Sequence, residues 1–255
     1  MPRIIGVVPA RMASSRFPGK PLARICGRPM VEHVWLRAKL YPRWDALFLA
    51  TCDEQIRAYG DARGWPTLMT KETHIRALDR VAEAAEICGL GVADDDIVVC
   101  VQADEPMLDP GQIAAVIDPF ADDRTVEGTV LAMHIVDEAQ FRNPDIVKLV
   151  HDRKGDVLYT SRSPIPYCKS FSPALGARRI GGIFAFRWRH LKRFTALPES
   201  PLEIAEACDS NRLIDNGLRQ RVAPVPYRPY FSVDSPSDLA LVEGAMRSDP
   251  LWGRY

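Results

Sequence analysis

Between Pro9 and Leu22 the chain reads PARMASSRFPGKPL, so Arg11, Arg16 and Lys20 stand beside Ser14 and Ser15, directly after the apolar run Ile4–Val8. Guanidinium, ammonium and hydroxyl groups in that density suit the oxygens of a phosphate chain. The loop is neither of two common phosphate loops: Lys20 is followed by Pro21, against G-x-x-x-x-G-K-[ST], and G-x-G-x-x-G is absent. Two acidic stretches complement it. Gln102-Ala103-Asp104-Glu105-Pro106 closes one apolar run, and Asp234 lies in SVDSPSDL, residues 232–239. Carboxylates at a strand end suit Mg²⁺, which takes oxygen ligands and shares them with substrate phosphates. Together the basic and acidic groups fit a metal–polyphosphate complex. Taken singly, the same residues also read as a solvated loop and as ordinary caps. A third group, His74, Arg76, Asp79 and Arg80, opens a helical pattern with Arg76 and Arg80 one turn apart. It reads equally as a surface ion-pair cluster, and no nucleophile motif accompanies His74.

These groups need a frame that brings them to one rim. Apolar runs at 3–8, 46–51 and 96–102 read as buried strands, and helical spacing covers 29–41, 53–63 and 77–88. Asp53 reads as a helix cap, as does Asp109 before Pro110. Alternating buried strands and helices predict an α/β fold with a mainly parallel sheet flanked by helices, whose ligands sit beyond the carboxyl ends of the strands. The second half is more β-rich. Strands are expected in 128–136 and 145–162 (the latter a hairpin turning at Asp152–Gly155), in 179–188 and at 221–227. Residues 163–179, rich in Pro and Ser, read as an excursion from the sheet. A single helix is expected over 200–217, and a last one from Ser235–Pro236. Gly181 and Gly182 read as points of close approach to the backbone.

Composition sets the class. The chain has 255 residues, 47% hydrophobic and 26% charged, with Lys+Arg and Asp+Glu both at 33. That balance gives no reason to expect nucleic acid as a partner. No apolar run approaches a membrane span, and the apolar start is too short for a signal peptide. Six scattered cysteines without a C-x-x-C pair point to reduced thiols, so the expected location is cytoplasmic.

The order VVPARMASSRFPGKPLARICGRPMVEHV, VQADEP, YTSRSPIPY, LPESPLE and VDSPSDLALVE resembles the CMP-Kdo synthetases, the 3-deoxy-manno-octulosonate cytidylyltransferases. The resemblance runs nearly end to end. It implies a Rossmann-like nucleotidyltransferase fold in one domain over 1–255, with a β-rich inserted arm at about 160–185 serving dimerisation and the acceptor side of a homodimer. It also implies a reaction: a hydroxyl of an acidic sugar attacks the α-phosphate of CTP, with Mg²⁺ as cofactor and pyrophosphate leaving. By match to the family motifs, Arg11, Ser14, Ser15, Arg16 and Lys20 would hold the triphosphate. Lys20, Arg11 and Asp104 would be catalytic, and Asp104 and Asp234 would ligate Mg²⁺. Pro9, Ala10, His74, Arg76, Asp79, Arg80, Gln102 and Ala103 would line the nucleotide. Arg162, Pro166, Ile180, Phe184, Asp209, Ser210 and Asn211 would face the acceptor.

The departures from the family pattern cluster on the acceptor side. H-x-S-G-T-D-R becomes HIRALDR, and Q-G-D-E-P gains a methyl at Ala103. K-H-I-G-I-Y becomes RIGGIF, with Ile180 and Phe184 for His and Tyr, and E-Q-L-R becomes DSNR. A site built to bond hydroxyls discriminates strongly once its partners change. The expected acceptor is therefore a 3-deoxy-octulosonate-like sugar acid or a variant of it. Arg76, Arg162 and Arg179 raise a phosphonate or phosphorylated small acid as the alternative. Of other classes, a glycosyltransferase leaves the Arg11–Lys20 loop unexplained, and a non-catalytic nucleotide-binding protein would bind CTP without turnover.

Overall fold

The computed structural model describes residues 2–14, 16–74, 76–228 and 232–255. The chain is an α/β protein that divides into two compact units, one of residues 1–113 with 229–255, the other of residues 114–228.

In the first unit the strand Ile4–Pro9 pairs in parallel with Ala46–Thr51 on one side and Ile97–Val101 on the other. Thr67–Met69 continues the parallel sheet beyond Ala46–Thr51. Ile5, Val7, Val8, Leu49, Val98, Val99 and Val101 are all fully buried, so successive side chains point into two covered faces, as in a sheet with helices on both sides. Helices Met30–Lys39, Glu54–Asp61 and Ala77–Ile87 flank it. A further helix, Pro236–Arg247, starts at Ser235, where the Asp238 carboxylate accepts from the Ser235 N–H at 2.7 Å and the Asp234 N–H at 2.8 Å. Its apolar side joins Ile25, Met30, Val233, Val242 and Met246 in one buried cluster, against which Phe17 and Met107 also pack. This cluster fixes three chemistry-bearing segments at once, because Phe17, Met107 and Val233 flank the basic loop and the two aspartates.

The second unit is mixed. Gly128–His134 pairs in parallel with Arg221–Val225 and antiparallel with Arg178–Arg187. Arg178–Arg187 also pairs with Lys148–His151, which forms a hairpin with Val157–Ser161. That hairpin turns as expected, with the Asp152 carboxylate accepting from Lys154 N–H at 2.8 Å and Asp156 N–H at 2.9 Å. Residues 162–177 hold no strand, only a short 3₁₀ turn at Pro173–Leu175.

One expectation is corrected here. The helix expected over 200–217 is two, Pro201–Glu206 and Asp209–Asp215, parted at Ala207 with φ 49°. Ser200 caps the first of them in a reciprocal box with Glu203. At Gly181 the close approach comes from the chain itself: a Cβ there would lie 2.7 Å from Leu131 Cδ2 on the paired strand. Leu131 thus accounts for that glycine without any ligand.

Candidate functional site

The basic loop leaves the sheet at Pro9, and Ala10 N–H still bonds Ala50 O at 2.9 Å. It closes on itself where Gly19, at φ 75°, turns to donate to Met12 O at 2.9 Å and starts the 3₁₀ turn Lys20–Leu22. Only glycine takes that φ at low cost. From there Lys20 Nζ reaches Asp104 Oδ2 at 3.0 Å, Val233 O at 2.8 Å and Asp234 Oδ1 at 3.9 Å. Arg16 pairs with Asp234 Oδ1 at 2.9 Å. The two aspartate segments are themselves joined, since Val233 N–H donates to Asp104 O at 2.9 Å. The predicted basic and acidic groups therefore meet within the first unit.

The charges are unevenly satisfied. Asp104 Oδ1 is buried with no hydrogen-bond partner among the described residues. Burial, and then the charge of Asp104, push the Asp234 carboxyl above its ordinary value, with Lys20 and Arg16 acting against them. Two crowded carboxylates with one orphaned oxygen form a site that gains from added positive charge. Hard oxygen donors of this kind fit a divalent cation shared with phosphates. Among the described residues no group of three or more His, Cys, Asp or Glu is arranged around a metal position, so substrate oxygens and water would have to complete such a shell.

The residues expected to line the nucleotide lie in the same unit. Arg11 is exposed and donates to His74 O at 3.3 Å. His74 Nε2 lies 2.5 Å from Glu83, which also accepts from Lys71 N–H at 2.8 Å. Against the effect of burial, those two bonds hold the Glu83 carboxyl below its ordinary value. Ser14 Oγ accepts weakly from Phe17 N–H at 3.4 Å, whereas Ser15 lies outside the described residues. Gln102 and Ala103 follow the strand Ile97–Val101, Ala103 buried and Gln102 partly so. Arg76 and Asp79 are partly buried around the start of the Ala77–Ile87 helix. Arg80 is buried and donates to Thr70 Oγ1, and its Nη2 has no hydrogen-bond partner among the described residues.

Asp53 differs from expectation. It occupies the cap position of Glu54–Asp61 but makes no side-chain cap bond. Its carboxylate instead accepts from Met12 N–H at 2.8 Å and from Cys52 Sγ at 3.6 Å, anchoring the basic loop to the next strand end. Sequence reasoning also missed Glu83 and the Val233 carbonyl; an acid nine residues from His74 carries no motif.

The residues expected to face the acceptor all lie in the second unit. Asn211 is fully buried: its Oδ1 accepts from Thr160 Oγ1 at 2.8 Å and its Nδ2 donates to Thr160 O at 3.1 Å. Those bonds give it a structural role in this unit. Ser210 and Phe184 are buried, while Ile180, Asp209 and Pro166 are partly exposed, Pro166 following a cis bond. Arg162 is not a spare cation. Its Nε and Nη1 donate to Glu206 O and Pro144 O, both at 2.9 Å, and its N–H to Glu206 Oε2 at 2.7 Å.

No helix among the described residues is long and apolar enough to cross a membrane. The family model described as cytidylyltransferase matches residues 5–220. A 3-deoxy-manno-octulosonate cytidylyltransferase of Nitratidesulfovibrio vulgaris (strain DP4) is 45% identical over 248 residues, 96% of each chain. The protein of that name from Oleidesulfovibrio alaskensis is 42% identical over 244 residues, again 96% of each. Among solved structures, a CMP:2-keto-3-deoxy-manno-octonic acid synthetase complexed with CTP superimposes with a TM-score of 0.85 at 33% identity, covering 96% of this chain and 98% of that one. A 4-diphosphocytidyl-2C-methyl-D-erythritol synthase, 17% identical with a TM-score of 0.63 and covering 95% of this chain and 97% of its own, shares the fold. The chain is an enzyme of the cytidylyltransferase family and belongs, within it, to the CMP-Kdo synthetases.

Proposed function

We propose that the protein catalyses Mg²⁺-dependent transfer of CMP from CTP to a hydroxyl of a 3-deoxy-octulosonate-like sugar acid, or a variant of it, releasing pyrophosphate. The observation that carries this reading is Lys20 Nζ lodged among Asp104 Oδ2, Val233 O and Asp234 Oδ1. In this reading Asp104 and Asp234 hold the Mg²⁺, which supplies charge neutralisation on the phosphates when bound. Lys20, freed from the carboxylates, turns its ammonium to the α-phosphate and stabilises charge as the bond to the leaving pyrophosphate breaks. Arg11, Ser14, Ser15 and Arg16 hold the triphosphate in line, so much of the catalysis is positioning. Pro9, Ala10, Gln102, Ala103 and the His74–Arg80 segment line the nucleotide. Ile180, Phe184, Asp209 and Ser210 shape the acceptor side, and the altered types at these positions favour a variant acceptor. The same reading makes the protein a cytoplasmic homodimer acting on small molecules.

A pyrophosphate-release screen tests it: four NTPs against sugar acids, phosphonates and phosphorylated small acids, with and without Mg²⁺. Release with CTP and a sugar acid only when Mg²⁺ is present is the expected result. Turnover confined to phosphonates or phosphorylated acids overturns the acceptor, and CTP binding without turnover overturns catalysis.

A further inference from the structure

In the second unit Arg178, at the start of the strand Arg178–Arg187, stands directly opposite His134 on the antiparallel strand Gly128–His134. Cross-strand partners of this kind hold their Cβ atoms about 4.5–5.5 Å apart on one face. Arg178 Nη1 is buried with no hydrogen-bond partner, and its guanidinium pairs with none of the described residues. The ring of His134, a partly buried residue, makes no hydrogen bond to a described residue either. Other arginines of this unit differ. Arg212 is held by Glu203, Arg189 by Glu127 and Arg221 by Asp156, and Arg162 reaches two carbonyls.

Among the described residues no acid pairs with Arg178 or His134. Arg178 faces Leu149 on its other flank, a buried apolar residue, and shares its face with Ile180 two residues on. Lys148 and Arg179 oppose each other one residue along, so they point to the other face. Burial draws the Arg178 guanidinium below its ordinary pKa, and burial followed by the Arg178 charge does the same to His134. A desolvated cation without a partner is destabilising, and an oxyanion binding there recovers that cost.

We propose that Arg178 and His134 form a receptor for one oxyanion group, a carboxylate or a phosphate, of a small molecule. The assignment stands apart from the acceptor reading, because inorganic phosphate tests it without any acceptor. With ¹⁵N-histidine-labelled protein, the His134 ring is followed by NMR while phosphate, pyrophosphate, 3-deoxy-octulosonate and the methyl ester of that acid are added separately. Binding raises the pH at which His134 titrates, since a bound anion favours imidazolium. Arg178→Gln abolishes that rise and weakens binding about tenfold or more, and Arg178→Lys restores part of it. A response to phosphate or pyrophosphate supports the site as one for free anions. A response to the sugar acid but not its ester supports it as a carboxylate site. The proposal falls if no anion moves His134, or if the response survives in Arg178→Gln. It falls too if His134 shifts with protein concentration alone, which would mean that an acid of a second copy fills the site. Circular dichroism of Arg178→Gln separates lost binding from lost folding, and calorimetry of phosphate binding to His134→Ala provides a second variant.

Discussion

Lys20 and Lys148 are the same residue type in opposite employment. Lys20 Nζ lies between two carboxylates and a carbonyl, on a loop whose neighbours Arg11 and Arg16 are exposed. Lys148 is fully buried and donates to three carbonyls, those of Asn143 at 2.9 Å, Ile146 at 2.7 Å and Arg162. Charge partners allow an ammonium to be exchanged onto an incoming anion, while carbonyl partners use its donors to tie backbone segments together. Burial, and then the charge of Arg162, draw Lys148 down to about 8. These surroundings fit one lysine to act on a ligand and the other on the chain.

The deepest loss of activity should come from the first half of that contrast. Lys20→Ala should lower kcat about 10³-fold, since one well-placed charge donor contributes at that scale. Its melting temperature should stay near that of the parent, measured by differential scanning fluorimetry. If Lys20→Ala instead unfolds the protein with catalysis intact in the folded fraction, the contrast with Lys148 collapses.

Next comes the carboxylate side. Asp104→Asn keeps the shape but removes a charge, and should lower the rate about 10²-fold at fixed Mg²⁺ with partial recovery at higher Mg²⁺. A loss that no Mg²⁺ concentration relieves would move Asp104 from metal ligation to holding Lys20 alone.

Lys148 is tested through stability. Its folded value of about 8 lies below the ordinary 10.5. Between those pH values the unfolded chain holds a proton that the folded chain has released, so stability rises with pH across this window. The rise amounts to as much as ~3 kcal/mol. Lys148→Met removes the titrating group and should flatten the slope, as read from urea unfolding at a series of pH values from about 7 to 11, chosen to bracket the folded and unfolded values. Equal slopes in both proteins would show that Lys148 is not desolvated.

The parallel half of the fold was legible because strands covered on both faces must be apolar throughout, and Ile4–Pro9, Ala46–Thr51 and Ile97–Val101 lie where the runs of β-branched and apolar residues fall. The break at Ala207 was not legible. Helical spacing continues on both sides, and alanine favours the helix that it here interrupts. The break is set by tertiary partners: Arg212 Nε and Nη2 reach back to the buried Glu203 carboxylate at 2.7 Å, and Asn211 fastens the second helix to Thr160. The same holds at the candidate site. Arg16, Lys20, Asp104 and Asp234 could be picked out by type, but that Lys20 would also take the Val233 carbonyl depends on a chain segment 213 residues away.

Asp53 should give the mildest change and the sharpest discrimination, because its position suggested a helix cap while its carboxylate holds the basic loop. A lost cap would cost about 1 kcal/mol of stability, or roughly 2–4 °C, and leave substrate binding alone. A lost loop anchor should instead raise KM for CTP several-fold with kcat nearly unchanged, since Met12 N–H loses the acceptor that positions Arg11 and Arg16. Asp53→Asn retains an oxygen for Met12 N–H and should sit between the parent and Asp53→Ala. Steady-state kinetics beside thermal melts of both variants decide the matter: a melt shift without a KM change returns Asp53 to the helix. A KM change that Asp53→Asn largely spares shows that a neutral acceptor for Met12 N–H is enough to hold this end of the basic loop, so the bond and not the charge of Asp53 positions Arg11 and Arg16.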